Sequence, residues 1–505
     1  VTCTERHNFS GLPVAVTMLG GCPKVRRMYG VVGCAPTCGL KVHNNDIPNA
    51  LRGLYERVYR VPVEGGFASP PRPCSDVWRE NLKVIPGSLY KYLPHAAPIT
   101  QHEFVDRYHG RRRAVYANAV ESLARRPVRH TDAFLSTFVK AEKVNPLKAP
   151  RLIQPRGPRY NVCVGQYLKD LEGPLCGAIA RMWGGKTVMK GLNADGTGVE
   201  LHKMWSQFDK PAAIGLDASR FDQHVSRIAL EWEHSVYLQC FNKEDRRELA
   251  RLLKWQLDNC GYINCPDGKI KYNVEGCRMS GDMNTGMGNC LIMCCLVYAY
   301  CDFKKIRTRL ANNGDDCTVI MEQKDVDAFN TGLDQWFTDM GFTMKVEDPV
   351  YEIEHIEFCQ SHPVKVNGTY RMVRKPSTMA KDLITVIPLD VGDAARKYVG
   401  AIGDCGSALN SGVPVQQDFY SMLRKFGVRG MTHPTFECGM MNLSRGMVDR
   451  YSDPTPETRY SYWMAFGVTP DVQVALEDWY RSHDLLFQFA PREYDEFPPL
   501  LPQYF

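Results

Sequence analysis

Two short apolar runs that meet aspartates constrain this chain more than anything else in it. Ala212 to Leu216 is a strand-length segment ending on Asp217, and Cys317 to Met321 is another, following Gly314-Asp315-Asp316 directly. Read as strands of one sheet, they deliver carboxylates to a common end from separate parts of the chain. Gly314 lets the turn tighten and keeps its acids exposed at the tip. Phosphoryl transfer between nucleotides uses two divalent cations, one at the attacking hydroxyl and one at the leaving pyrophosphate, and such hard ions take oxygen ligands. Asp217 and Asp315 are therefore the expected ligands of two Mg²⁺ or Mn²⁺ ions, with Asp316 beside them. A lone Gly-Asp-Asp would be weak support, since a surface turn has the same composition.

The flanking pattern alternates strands and helices. Cys290 to Cys301 reads as a buried helix preceded by a flexible loop from Ser280 to Gly288. From Asp325 to Met340, the residues Val326, Phe329, Leu333, Trp336 and Phe337 fall near helical spacing and lead into a strand over Phe342 to Val346. That alternation predicts an α+β platform with helices on one face. Val364 to Val373 alternates apolar and polar residues around Asn367-Gly368, a strong hairpin signal. Helical spacing also covers Asn49 to Tyr59, Arg113 to Arg125, and Ile228 to Gln256 with a break near Asn242. The Pro- and Gly-punctuated stretch from Val61 to Pro73 reads as a surface connection. From about Ile384 the pattern is mainly helical, and the Pro-rich tail from Pro491 to Phe505 is not expected to be regular.

A chain of 505 residues, 44% hydrophobic and 23% charged, has room for several lobes and no long disordered segment. Its longest apolar run, Cys290 to Cys301, is about a dozen residues, short of the roughly 20 a membrane span needs, so no intrinsic span is expected. The 19 cysteines are scattered and often lie in apolar stretches, which suits reduced core residues of a cytosolic protein. Cys22, Cys34, Cys38 and His43 could supply four zinc ligands, although their spacing departs from the paired CxxC form and packing is the reading taken. Net charge is only +6, yet cations cluster at Arg111-Arg112-Arg113, Arg125-Arg126 and between Lys140 and Arg159, as a polyanion track would.

The ordered set Asp217 to Ser226 (DASRFDQHVS), Ser280 to Asn289 (SGDMNTGMGN) and Asn313 to Asp316 resembles motifs A, B and C of viral RNA polymerases. These strings look like those of the tombusvirus family, carmovirus-like members in particular. The resemblance runs from Gly39-Leu40-Lys41-Val42-His43 onward and is most specific between Phe138 and Ser377. It implies a right-hand polymerase with fingers over 1–183 and 227–274, palm over 184–226 and 275–384, and a helical thumb over 385–505. The palm is expected to be an antiparallel sheet packed on helices. In that family the polymerase arises by readthrough of a shorter replication protein, which would account for Val1 at the first position.

Further roles follow from the same resemblance. Asp222, with Ser280, Thr285 and Asn289, would recognise the ribose 2′-OH, a group that both donates and accepts. Lys143, Lys148, Arg151 and Arg156 fall in motif F (Phe138 to Arg156) and would line the path of the incoming triphosphate. Lys345 matches the motif D lysine, a proton donor to pyrophosphate. Phe358-Cys359-Gln360-Ser361 matches motif E, and Arg371, Arg374 and Lys375 would contact phosphates of template or nascent RNA. The expected partners are viral RNA template and nascent RNA, NTPs, and a smaller viral replication protein. The expected location is the host cytoplasm, at membrane-associated replication complexes reached through an upstream region or a partner. A reverse transcriptase is disfavoured by the polar pair Asp222 and Asn289. A non-catalytic RNA-binding scaffold has no need of the intact acids and motif F.

Overall fold

The computed structural model describes residues 1–30, 39–428 and 440–483. Its acids are carried by a four-stranded antiparallel sheet of β1 (Pro211–Ala218), β2 (Thr308–Asn313), β3 (Asp316–Glu322) and β4 (Met344–Val346), in the order β2-β3-β1-β4. Both faces of the central strands are buried, which explains why they read as continuous apolar runs rather than as alternation. Ala212, Ile214 and Leu216 join one core, shared with α2 (Thr285–Lys304), and the intervening Ala213 joins a second core with Ala311, Ile320 and the C-terminal helices. By length and composition α2 could cross a membrane, but 78% of its apolar window is buried inside the fold. It starts five residues earlier than the apolar run Cys290 to Cys301 suggests, so Thr285 and Asn289 lie on its first two turns rather than in a loop.

A second sheet of five strands supports the other side of the site. Its order is Val14–Met18, Gly268–Glu275, Asp258–Cys265, Leu135–Val139 and Leu152–Ile153. All neighbours are antiparallel except Leu135–Val139 against Asp258–Cys265. The helix Ile47–Leu54 packs on this sheet, with the Asp46 side chain accepting from the Asn49 amide as its cap, and continues as a π-helical turn over Tyr55–Tyr59. Helices Gly110–Arg125, Arg227–Gln239 (α1) and Lys243–Lys254 match the expected spacing, including the break at Asn242, whose side chain caps the third of these.

The hairpin forms as expected from β5 (Ser361–Val366) and β6 (Thr369–Arg374). Asn367 and Gly368 sit at φ of 51° and 83°, the left-handed pair a two-residue turn requires. Helices Ala394–Leu409, Gln416–Phe426, Pro456–Phe466 and Pro470–Ser482 follow it. Two expectations need correction. Asp325 to Met340 is not one helix: it breaks between Val326–Asn330 and Leu333–Asp339, where Gly332 takes φ of 78°. Val61 to Pro73 is not a bare connection, because Val61–Val63 and Gly66–Ala68 pair as a small hairpin. Among the described residues every cysteine is a free thiol. Cys34, Cys38 and the C-terminal tail lie outside the described residues, so the zinc reading is left with exposed Cys22 and with His43, whose Nε2 faces the Lys148 carbonyl at 3.3 Å.

Candidate active site

Strand pairing brings the acids together. Asp217 pairs with Asp316 of β3 on one side and with Lys345 of β4 on the other, so these three side chains share one face of the sheet. Asp315 sits beside them in the two-residue turn with Gly314, whose φ of 69° needs a glycine. Burial raises the proton affinity of Asp315, and the charge of Asp217 adds to it while Arg151 opposes it. Asp316 is also raised, by burial first and then by Asp315 and Asp217, but its Oδ2 accepts the Cys359 amide at 2.9 Å, which pulls the other way. Cys359 and Gln360 hold that amide in place with φ of 51° and 59°, strained values for residues with side chains.

Next to the acids lies a polar pair. Asn289 Nδ2 donates to Asp222 Oδ1 at 3.0 Å, joining α2 to the one-turn helix Phe221–His224 after β1. The Asp222 carboxyl is raised by burial, with the Asn289 hydrogen bond and Arg278 opposing. Ser280 Oγ accepts from the Gln154 amide at 3.2 Å and donates to the Leu152 carbonyl at 3.3 Å, clamping the loop before α2 to the adjacent sheet. Gly281 beside it permits this approach, since a Cβ there would meet Pro155 Cα at 2.5 Å. Thr285 Oγ1 donates to the Met279 carbonyl at 2.6 Å and braces the same loop from within.

One cleft of about 1150 Å³ is lined by Asp217, Asp222, Asp315, Ser280, Asn289, Lys148 and Arg151 together. The cations reach it on the connection between Leu135–Val139 and Leu152–Ile153, strands closed by Phe138 opposite Ile153. Arg151 Nε bonds Glu142 Oε1 at 2.6 Å, and Lys140 Nζ lies 3.1 Å from the same carboxylate.

Several predicted contacts are engaged elsewhere. Lys143 is absent from the cleft lining: its ammonium donates to the carbonyls of Lys381 and, at 2.8 Å, Ile384. Arg156 is a correction, because its side chain is 1% exposed and its guanidinium is spent on Asp282, Asn259 and the Ala133 and Trp255 carbonyls. Arg371 binds Asp195 at 2.6 Å and the Ser411 carbonyl at 2.8 Å, and Arg374 binds Asp382 and, at 2.7 Å, the Tyr420 hydroxyl. Both arginines therefore fasten the hairpin to its neighbours with donors that the sequence reading assigned to RNA phosphates. Lys375 pairs with Glu357 at 2.7 Å and stays partly exposed.

Sequence reading gave no site role to four charged residues. Arg57 lines the cleft from the π-helical turn and donates to the Ala149 carbonyl at 3.1 Å. Arg220 also lines it, at φ of 48°, with its guanidinium on the Glu56 carbonyl. Lys140 joins the motif F cations. Glu347 lies over Gly215, where a Cβ would collide with its carboxylate, and its own proton affinity is raised by burial, Glu357, Asp316 and Asp217. The available signal for Arg220 was its place inside the string Asp217 to Ser226, between two assigned aspartates. None in the linear pattern marked Arg57.

The profile of the viral RNA dependent RNA polymerase family matches residues 14–488. The chain belongs to that family. It is 45% identical over 467 residues to the RNA-directed RNA polymerase of Tobacco necrosis virus (strain D), covering 90% of this chain and 64% of that protein. The corresponding protein of Turnip crinkle virus is 42% identical over 487 residues, covering 94% of this chain and 62% of its own length. That of Oat chlorotic stunt virus (isolate United Kingdom) is 40% identical over 495 residues, with 93% and 66% covered. The chain thus spans just under two thirds of these polymerases. The tombusvirus-type resemblance read from the motifs agrees with these relatives.

Proposed function

We propose that this chain is an RNA-directed RNA polymerase that copies a positive-strand viral RNA from ribonucleoside triphosphates. One observation supports this most: a single cleft presents Asp217 and Asp315, the Asp222 and Asn289 pair, and the cations Lys148 and Arg151. In that reading the 3′ oxygen of the growing strand attacks the α-phosphorus of the incoming nucleotide. The bond to the bridging oxygen of the β-phosphate breaks, and pyrophosphate leaves. Arg151, Lys148 and Lys140 hold the triphosphate and offset its charge. Asp222 accepts from the ribose 2′-OH while Asn289 and Ser280 offer complementary polar groups. Lys345, exposed beside Asp217, gives a proton to the departing pyrophosphate.

The acids fit divalent cations. Buried carboxylates of like charge whose protons are held too tightly are relieved by a hard cation, and all the donors are oxygens. Asp217 and Asp315 would hold two Mg²⁺ or Mn²⁺ ions, with Asp316, tied to the Cys359 amide, tuning the site. Such ions, when bound, activate the attacking hydroxyl and neutralise the leaving phosphates.

In the right-hand reading, palm residues 184–226 and 275–384 include the four-stranded sheet. Fingers residues 1–183 and 227–274 include the five-stranded sheet, except for the last residue of its Gly268–Glu275 strand, and thumb residues 385–505 include the C-terminal helices. Template and nascent RNA and NTPs are the substrates. A smaller replication protein as partner, at membrane-associated complexes, rests on the resemblance alone. The test is extension of an RNA template by purified protein with Mg²⁺ or Mn²⁺ and either rNTPs or dNTPs. Incorporation of rNTPs that Asp315→Asn abolishes supports the proposal. Activity unaffected by Asp315→Asn, or equal use of dNTPs, overturns it.

A further inference from the structure

Behind the ribose-facing pair lies a buried charge network to which the proposed nucleotidyl transfer gives no role. Arg278 and Glu233 form an ion pair whose side chains are both 0% exposed. Glu233 on α1 also accepts from Tyr237 Oη at 2.6 Å and from Asn284 Nδ2 at 2.9 Å, and Gln256 Nε2 donates to Asn284 Oδ1 at 3.0 Å. A buried pair of this kind is expensive to desolvate, and apolar residues of similar volume would stabilise the core as well or better. Stability is therefore a poor explanation for it, and its remaining contact supplies a better one. Arg278 Nε donates to Asn289 Oδ1 at 2.9 Å, and the Arg278 amide donates to the Asp222 carbonyl at 2.8 Å.

A guanidinium only donates, so the Asn289 oxygen must face Arg278 and its NH₂ must face Asp222. Rotated by half a turn, the amide would set its oxygen against the Asp222 carboxylate and its NH₂ against the guanidinium. The backbone around Arg278 is built for this placement. Cys277, the residue before it, holds φ of 63°, an uncommon conformation that turns the following residue inward. Gly288, one residue before Asn289, leaves room for the pair, since a Cβ there would fall on both Glu233 Oε1 and Arg278 Nη2.

We infer that Arg278, anchored by Glu233, is a positioning residue that fixes the amide orientation of Asn289 and so presents Asp222 as the acceptor for a ribonucleotide 2′-OH. This rests on the proposed ribose role of Asp222 and Asn289. The experiment compares ATP with 2′-deoxy-ATP as single-nucleotide substrates on an RNA template. Arg278→Lys keeps the charge on Glu233 but removes the planar Nε donor. It should fold, raise KM for ATP about tenfold, leave 2′-deoxy-ATP kinetics unchanged and so cut discrimination about tenfold.

A merely structural role would depress both substrates alike, and that result, or an unchanged ratio, overturns the inference. The double variant Arg278→Met with Glu233→Leu removes the pair without stranding a charge, and the same readout decides the matter should the lysine variant not fold. Asp222→Asn separates the two layers of the argument. If it leaves discrimination intact, the ribose reading itself fails. If it abolishes discrimination while both Arg278 variants keep it, only the positioning role fails.

Discussion

Asp315 sits where burial and Asp217 both favour a proton over a bare charge, so Asp315→Asn removes charge while keeping shape. Nucleotide incorporation should fall at least about hundredfold with thermal stability unchanged or improved, measured by single-turnover extension and melting. Arg151 shares its guanidinium with Glu142, and Arg151→Ala should raise KM for NTP about tenfold or more; an unaltered saturation curve would make it a bystander. His234 carries a different kind of prediction. It is buried against Gln256, and burial pushes its basicity down from 6.5 to about 4. Between those values the unfolded chain takes up a proton that the native state refuses. Stability therefore falls as pH drops through that window, by up to about 1.4 kcal/mol per pH unit, and the contribution ends below about 4. His234→Gln should flatten this part of a stability curve measured by denaturant titration.

At the scale of elements, the site depends on close approach between the loop before α2 and the strand Leu152–Ile153. Gly281→Ala puts a methyl group 2.5 Å from Pro155 Cα, against backbone that cannot rotate away. Loss of about 1 to 3 kcal/mol is expected, with a raised KM for NTP as Ser280 is displaced from Gln154 and Leu152. Denaturant melts and NTP titration of the same variant check both effects. Elements whose signal is local were legible in sequence: β1 and β3 as apolar runs, the Asn367-Gly368 hairpin, and the break at Asn242. The strands Asp258–Cys265 and Gly268–Glu275 were not read, although Asp267-Gly268 and the polar–apolar alternation from Lys269 to Glu275 are the same kind of signal as the later hairpin. The start of α2 was misplaced because Gly286 and Gly288 look like loop residues. Packing against the buried Glu233 and Arg278 pair is what requires Gly288 to be small.

Across the whole molecule, the hairpin β5 and β6 is joined to its surroundings by arginines that a linear reading assigns to RNA. Arg374 is held by Asp382 and Tyr420, whose charge and hydroxyl keep its guanidinium firmly protonated despite burial. Arg374→Ala leaves the Asp382 carboxylate without its cation, still held by the Tyr420 hydroxyl at 2.7 Å, and should cost about 3 kcal/mol of stability. RNA affinity at a temperature where the variant is folded, and the slope of that affinity against salt, should not change. A slope reduced by about one unit would instead show a lost phosphate contact.

What the linear order of residues determined was the inventory of groups: three aspartates at strand ends, a polar set between them, and a run of cations. These are legible because they depend on residue type and on spacing within single elements. Only the tertiary structure decided which of the cations face the cleft. Lys148, Arg151, Arg57, Arg220 and Lys140 do, while Arg156, Arg371 and Arg374 are consumed as internal ties. Sequence shows a positive charge but not its partner. A guanidinium buried beside a carboxylate is satisfied there, and residue type does not reveal that partner, whether it lies far along the chain, as Asp282 does from Arg156, or close by, as Asp382 does from Arg374.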